Sequence, residues 1–101
     1  MLKATLLYGQ STDPEAFEKY YAETHLPIAV KMKGVEKMEF TKFISTPDGS
    51  KAAFYRMAEL FFKGPEEMQE TMSSREGQAA SADLSNFATG GVTVIIGSVE
   101  N

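Results

Sequence analysis

The stretch AFYRMAELFFK, residues 53–63, decides the fold, because it has the character of a β-strand yet carries apolar side chains on both faces. Alternation assigns its apolar residues to two sets: Phe54, Ala58, Leu60 and Phe62 on one face, and Tyr55, Met57 and Phe61 on the other. A strand of an antiparallel sheet with one face in water alternates apolar and polar side chains instead. The stretch therefore predicts a sheet that is covered on both faces.

The flanking segments predict three further strands and two helical regions. Turn-forming residues in PDGSK, residues 47–51, join two of the strands as a hairpin. The predicted strands are residues 3–9, 35–46, 53–63 and 90–99. The first predicted helix begins at Pro14, after the capping residue Asp13. The second helical region consists of two predicted segments, residues 64–72 and 73–88. The order βαββαβ predicts one α+β domain over residues 1–101, a ferredoxin-like sandwich with helices on one face of a four-stranded antiparallel sheet.

A second copy of the chain is the simplest cover for the other face of this sheet. The last strand is also apolar on both sides, with Val92, Val94 and Ile96 opposed to Ile95 and Val99. Two helical regions can cover only one face, and an exposed apolar sheet face would promote aggregation. We therefore expect a homodimer in which sheet packs against sheet.

Charge and cysteine content exclude several classes of protein. The net charge of −4 and the pI of about 4.9 argue against binding to nucleic acid or to anionic membrane surfaces. The absence of cysteine excludes disulfides, thiolate nucleophiles and cysteine-ligated metals, and a single histidine excludes a His-rich metal site. No apolar run is long enough for a signal peptide or a membrane helix. A cytoplasmic protein without a bound metal or membrane partner is expected.

The only histidine, His25, follows an aromatic helix face. Phe17, Tyr20, Tyr21 and Thr24 recur at helical spacing in FEKYYAETHLPIA, residues 17–29. Pro27 should kink or break the helix near His25, after which it resumes briefly toward Gly34. Tyr21 lies one turn before His25, so phenol and imidazole share a face if the helix persists. His25 is then either a helix-end residue or the working group of a pocket.

Several strand residues are further candidates for substrate contact. Tyr8 ends the first strand and either lines a cavity or only fills it. Arg56 shares a strand face with Phe54 and Ala58. Glu59 lies on an otherwise apolar strand face, where a buried carboxylate needs a partner or a function. It therefore belongs to an ion pair, to the dimer interface or to the functional site. Asp83 is interpreted as a plain polar helix position.

Two segments resemble the EthD-domain family. FEKYYAETHLPIAVKMKGV is similar to that family's pattern F-x-x-Y-Y-x-x-x-H-x-P-x-A. AELFFKGPEEMQETMSSREGQAASADLSNFATGGVTVIIG is similar to its later part, in which a strand leads into helices, a D-x-x-x-F motif and a closing G-V-T strand. The resemblance covers essentially the whole chain and implies the dimeric α+β barrel fold. It also implies small-molecule chemistry without a bound cofactor, with the family's histidine at His25 and its aromatic pair at Tyr20 and Tyr21.

The resulting functional hypothesis is an EthD-type small-molecule enzyme, an oxidoreductase or a cofactor-free lyase or isomerase of catabolism or secondary metabolism. His25 would abstract a proton from a carbon acidified by a carbonyl, and Tyr21 or Tyr20 would hold the enolate oxygen. The residues expected to contact substrate are Tyr20, Tyr8, Arg56, Glu59 and Phe17. Two alternatives remain open: a non-catalytic small-ligand-binding protein, and a haem protein with His25 as axial ligand.

Overall fold

The computed structural model describes residues 1–100 and shows the expected α+β fold. Its strands are β1 Leu2–Gly9, β2 Lys37–Lys42, β3 Phe54–Phe62 and β4 Val92–Ser98. Its α-helices are α1 Pro14–Tyr20, α2 Leu26–Ala29, α3 Pro65–Ser73 and α4 Arg75–Asp83. The strands form one antiparallel sheet in the order β2-β3-β1-β4, and the connectivity βαββαβ is ferredoxin-like. The predicted fold class is confirmed.

The first helical region widens at the point where a break was predicted. α1 begins as expected, with Asp13 accepting from the Ala16 N–H at 3.1 Å and Pro14 in the first turn. A π-helical turn, Tyr21–His25, then joins α1 to α2, and the Leu26 N–H donates to the Tyr21 carbonyl. Pro27 cannot donate to the carbonyl one turn back and crowds it. The prediction of a disturbance is thus right, but the chain meets it by widening the helix rather than ending it.

A β-bulge re-aims one side chain of β3. Tyr8 pairs with Arg56, but Gly9 pairs with Phe54, so Tyr55 is the extra residue without a partner on β1. Tyr55 and Arg56 consequently both turn toward the helices, and each contacts Glu18 of α1. The strict alternation that assigned Tyr55 to the face of Met57 and Phe61 is wrong at this point.

The core lies between the sheet and the helices. Directly paired strand residues share a face, so even-numbered positions of β1 and β3 from Ala58 onward point to the helices. They pack in two adjoining clusters with helix residues. The buried members are Ala4, Ala29, Met32, Leu60, Phe62, Met68 and Ala80 in one, and Tyr8, Phe17, Tyr21, Tyr55, Ala58 and Phe87 in the other.

The opposite face of the sheet has no helix on it. The register places Leu7, Met57, Phe61 and Ile95 there, together with the ion pair between Lys3 and Glu59. That pair has a nitrogen–oxygen distance of 2.8 Å, so Glu59 takes the ion-pair alternative. On β4, Val94 and Ile96 pair with Leu6 and Ala4 and so lie on the helix side, while Ile95 lies on the side without helices and remains 52% exposed. We call this surface the open face.

Candidate active site

A cavity of about 170 Å³ lies between the sheet and the helices. Strand side chains such as Ala4, Leu6 and Ala58 form its floor, and the helices form its walls. Tyr8 enters from the end of β1, while Tyr21 and His25 enter from the π-helical turn. Most of the remaining lining is aliphatic, so the few polar groups dominate the cavity's chemistry.

His25 is buried, and one of its ring nitrogens is engaged by a carboxylate. It is 5% exposed, and its Nδ1 lies 2.9 Å from Oδ2 of Asp83 at the end of α4. Because the carboxylate can only accept when ionised, Nδ1 carries the proton and donates it. In neutral imidazole the other nitrogen, Nε2, is then the basic one. Nε2 has no hydrogen-bond partner within residues 1–100, and His25 lines the cavity.

Asp83 is held as a carboxylate by three hydrogen bonds. Besides His25, the Tyr20 hydroxyl donates to Oδ1 at 2.6 Å and the Asn86 amide donates to the same oxygen at 2.9 Å. Burial raises the pKa of Asp83, but the hydrogen bonds from Tyr20, Asn86 and His25 outweigh it and hold the pKa below its usual value. The aspartate is therefore ionised at neutral pH and stabilises positive charge on the imidazole.

Two tyrosines that line the cavity have buried hydroxyls without a partner. Tyr8 and Tyr21 are 1% and 2% exposed, and neither hydroxyl has a hydrogen bond within residues 1–100. Burial raises the pKa of Tyr21 to about 12 and raises the pKa of Tyr8 as well. Both phenols thus remain protonated at neutral pH and are available as hydrogen-bond donors.

Aromatic packing fixes the orientation of these groups. The rings of Tyr21 and His25 stack with centroids 5.7 Å apart, and Phe87 lies 4.6 Å from the imidazole centroid. Phe17 packs behind both tyrosines, at 5.6 Å from Tyr8 and 5.5 Å from Tyr21. The π-helical turn places Tyr21 and His25 on one face, as their spacing indicated.

Arg56 supports Tyr21 from outside the cavity. Its Nε and Nη2 donate to the two oxygens of Glu18 at 2.8 and 2.7 Å, and its guanidinium carbon lies 4.8 Å from the Tyr21 ring centroid. The Tyr55 hydroxyl donates to the same carboxylate at 3.0 Å. The hydrogen bonds from Arg56 in particular lower the pKa of Glu18 to about 2, although its burial opposes them. The bulge of β3 makes this network possible, because it turns Tyr55 and Arg56 to the same side.

The structure brings some of the predicted site residues together and separates others. His25, Tyr21 and Tyr8 line one cavity. The Tyr20 hydroxyl bonds to Asp83 and does not line the cavity. Phe17 packs behind the cavity residue Tyr8. Arg56 and Glu59 do not line the cavity. Arg56 donates hydrogen bonds to Glu18, and Glu59 lies on the open face, on the opposite side of the sheet.

Asp83 is the residue that the sequence analysis missed. It lies 58 positions from His25 along the chain, and its surroundings suggested only a polar helix position. A signal was present, since Asp83 and Phe87 are the two defined positions of the D-x-x-x-F motif, and both contact His25.

Within residues 1–100, no group of three or more His, Cys, Asp or Glu side chains is placed to hold a metal ion. Over the same residues, no helix combines the length and the apolar character needed to cross a bilayer.

Comparisons with known proteins agree with the fold and with the sequence motifs. Residues 9–91 match the family described as EthD domain. An uncharacterized 11.0 kDa protein from the thcB-thcC intergenic region of Rhodococcus erythropolis is 36% identical over 95 residues, 94% of this chain and 91% of that protein. An ethyl tert-butyl ether degradation (EthD) family protein of Bacillus halodurans has a crystal structure with a TM-score of 0.93 and 34% identity, covering 99% of both chains.

A more distant structure shares the fold alone. SnoaB from Streptomyces nogalater, described as a cofactor-independent oxygenase, matches with a TM-score of 0.68 and 9% identity over 99% of this chain and 93% of its own. The extent of the family match and the identities of the two nearer relatives decide the assignment. The chain belongs to the EthD-domain family.

Proposed function

We propose that this protein is a small-molecule enzyme that abstracts a proton from carbon next to a carbonyl group. The observation that carries the proposal is the buried pair of His25 and Asp83, which leaves one basic nitrogen at an apolar cavity beside two donor hydroxyls without partners. An apolar cavity with a few convergent polar groups is the usual form of an active site.

The reaction follows from the positions of the donors and the base. The substrate carbonyl oxygen accepts hydrogen bonds from the Tyr21 and Tyr8 hydroxyls. Nε2 of His25 takes the proton from the adjacent carbon, and the electrons of the broken C–H bond move onto the oxygen as an enolate. Asp83 stabilises the imidazolium that forms, as a carboxylate does in a catalytic triad. Tyr20, which donates to Asp83, is a positioning residue in this scheme rather than an enolate donor.

How the enolate forms and reacts defines the reaction class. After proton abstraction it reacts with dioxygen in an oxidoreductase or takes back a proton elsewhere in an isomerase. In a lyase the enolate forms instead when a β-keto acid loses carbon dioxide, and it is then protonated. The distant likeness to SnoaB, described as a cofactor-independent oxygenase, supports the oxygen branch through fold alone.

Proton exchange tests the shared first step without knowledge of the final product. Enolisable ketones and β-dicarbonyl compounds are incubated with the protein in deuterium oxide, and loss of the α-C–H signal is followed by NMR. The wild type should accelerate exchange, His25→Gln should abolish the acceleration, and Glu23→Gln, an exposed change in the same π-helical turn, should retain it. Exchange that survives His25→Gln in a folded protein would refute the proposal.

A non-catalytic ligand-binding role uses the same cavity and is the second candidate. The unpartnered hydroxyls favour it equally, because they would donate to a stored ligand as well as to a substrate. Saturable ligand binding with no exchange for any compound would favour this role.

The cavity at His25 is too small for haem. A cavity of about 150 Å³ accommodates one benzene ring, so about 170 Å³ does not hold a macrocycle of four pyrrole rings.

We further propose that the open face is a homodimer interface. Leu7, Met57 and Ile95 on this face are only partly covered in one chain. Packing the same face of a second copy against it would cover these side chains, and a stable interface of this kind buries about 1,200 Å² or more.

A further inference from the structure

The polar groups of the cavity are few, and none of them belongs to a lysine or arginine. Among its lining side chains, only Tyr8, Tyr21, His25 and Ser81 carry a polar atom, and no lysine or arginine of the described chain lines it. The nearest guanidinium, on Arg56, makes two hydrogen bonds to Glu18. A ligand therefore meets a few polar groups and hydrocarbon, without a lysine or arginine to pair with.

The two tyrosine hydroxyls define what part of a ligand can be held. Each is almost completely buried and unpartnered, which is costly for a polar group unless a ligand completes its hydrogen bond. Because burial raises the pKa of Tyr21 to about 12 and raises that of Tyr8 too, both act as donors at neutral pH. The complementary ligand atom is an acceptor oxygen.

Electrostatics disfavour a carboxylate in the same place. The ionised Asp83 already lies 2.9 Å from Nδ1 of His25, at the edge of the cavity. A second carboxylate in this hydrocarbon lining would lose its hydration and meet the like charge of Asp83, with no lysine or arginine in the lining to compensate. The ligand should therefore be uncharged.

We propose that the cavity selects an uncharged carbonyl compound about one six-membered ring in size, whose oxygen accepts hydrogen bonds from Tyr8 and Tyr21, and that it rejects carboxylates of the same shape. The size follows from the volume of about 170 Å³, since a cavity of about 150 Å³ takes benzene. This selection rests on the proposed function for its chemical meaning. It disfavours the decarboxylation branch, which needs an anionic β-keto acid, and leaves reaction with dioxygen or isomerisation.

Three probes of nearly equal shape test the selection at pH 7. Acetophenone presents one ring and a carbonyl, cumene presents the same outline without oxygen, and benzoate presents it with a negative charge. Dissociation constants are measured by NMR titration. Acetophenone should bind at least about 5-fold more tightly than cumene, the equivalent of about one hydrogen bond, and at least about 10-fold more tightly than benzoate.

Tyrosine variants assign the preference to the cavity hydroxyls. Tyr8→Phe and Tyr21→Phe should each weaken acetophenone binding by about 5-fold and leave cumene binding unchanged. Tyr55→Phe is the matched control, because its hydroxyl donates to Glu18 outside the cavity, and it should leave all three constants unchanged. Melting curves of each variant check that the fold is retained.

The outcomes separate this inference from the proposed function. Benzoate binding as tightly as acetophenone, or no saturable acetophenone binding up to about 10 mM, overturns the ligand class. Equal affinity of the wild type and both phenylalanine variants for acetophenone overturns it too. If acetophenone binds with the expected preference but its methyl protons do not exchange with deuterium, the ligand class stands and the proposed proton abstraction fails for this compound.

Discussion

At the scale of single residues, the site is organised around a buried carboxylate. Asp83 accepts hydrogen bonds from Tyr20, Asn86 and His25, and these hold its pKa below the usual value against the effect of burial. A permanently charged aspartate beside an imidazole fixes which ring nitrogen carries the proton. In neutral imidazole the other nitrogen, Nε2, is then the basic one, and His25 lines the cavity.

Replacing this charge should impair catalysis more than folding. In Asp83→Asn the side chain keeps its shape but no longer stabilises an imidazolium, so α-proton exchange should slow by about 100-fold or more. The rate is measured by NMR in deuterium oxide. Glu23→Gln, the same chemical change at an exposed position, is the control and should keep the wild-type rate. An Asp83→Asn rate within about 2-fold of wild type would contradict the assigned role.

The unpartnered hydroxyls predict a conflict between stability and function. Tyr8→Phe and Tyr21→Phe remove buried donors that bond to nothing in the described chain, so the free energy of unfolding should stay constant or rise by about 1 kcal/mol. Tyr20→Phe instead removes a hydrogen bond to a carboxylate and should lower the free energy of unfolding. Chemical denaturation of the three variants measures the contrast. A clear loss of stability in both cavity variants would show that the hydroxyls have partners in solution.

At the scale of elements, two local irregularities position the site. The π-helical turn Tyr21–His25 carries the stacked phenol and imidazole, and the bulge of β3 turns Tyr55 and Arg56 together toward α1. Such irregularities are frequent next to functional sites, because they re-aim side chains that a regular element would direct elsewhere. The ion pair of Glu18 and Arg56 then joins α1 to β3 beside the Tyr21 ring.

This connection should make part of the stability acid-sensitive. Chiefly through the hydrogen bonds from Arg56, the pKa of Glu18 is about 2 in the folded protein, against about 4.3 in an unfolded chain. Between these values the unfolded chain binds more protons, so the contribution of Glu18 is complete above about pH 4.5 and disappears toward pH 2. Glu18→Gln should therefore lower stability at pH 7 and flatten its dependence on pH in this range.

The measurement is the urea midpoint as a function of pH for the wild type and Glu18→Gln. Glu15→Gln, an exposed change in the first turn of the same helix, is the control and should follow the wild-type curve. Parallel curves for the wild type and Glu18→Gln between pH 5 and about pH 2 would contradict the coupling.

At the scale of the whole molecule, the open face is the main feature that one chain leaves unexplained. Its apolar side chains include Ile95 of β4, which is 52% exposed, and the Lys3–Glu59 ion pair lies on the same face. A sheet with helices on one face is a half-covered layer, and a second copy would complete it.

A charge placed on this face should separate the copies. Light scattering should report about twice the chain mass of 11.1 kDa for the wild type. Ile95→Glu should shift it to the monomer, because a carboxylate would be desolvated in the interface. Ile44→Glu, at a loop residue that is 95% exposed, is the matched control and should remain dimeric. A wild-type monomer at micromolar concentration would contradict the dimer.

The sequence by itself determined the order of the elements and their class, because these depend on local signals. Alternation over 53–63, the cap at Asp13 with Pro14, and the turn PDGSK act within a few residues. The same locality placed Tyr21 and His25 on one helix face, and the disturbance near Pro27 was foreseen from its missing N–H. The motif around His25 and the later segment, residues 58–97, together also indicated the family.

Only the tertiary structure decided which side chains share the cavity. Asp83 reaches His25 across 58 positions, and no periodic pattern encodes a contact between two helices that distant in sequence. Alternation had placed Glu59 and Arg56 on opposite faces of the sheet, but only the structure shows that the face of Arg56 turns to the helices. Tyr55 joins Arg56 because a bulge interrupts the alternation. The π-helical turn likewise arises from packing and from Pro27 together. Contacts of this kind depend on how elements pack, which is set by the free energy of the whole fold rather than by any one segment.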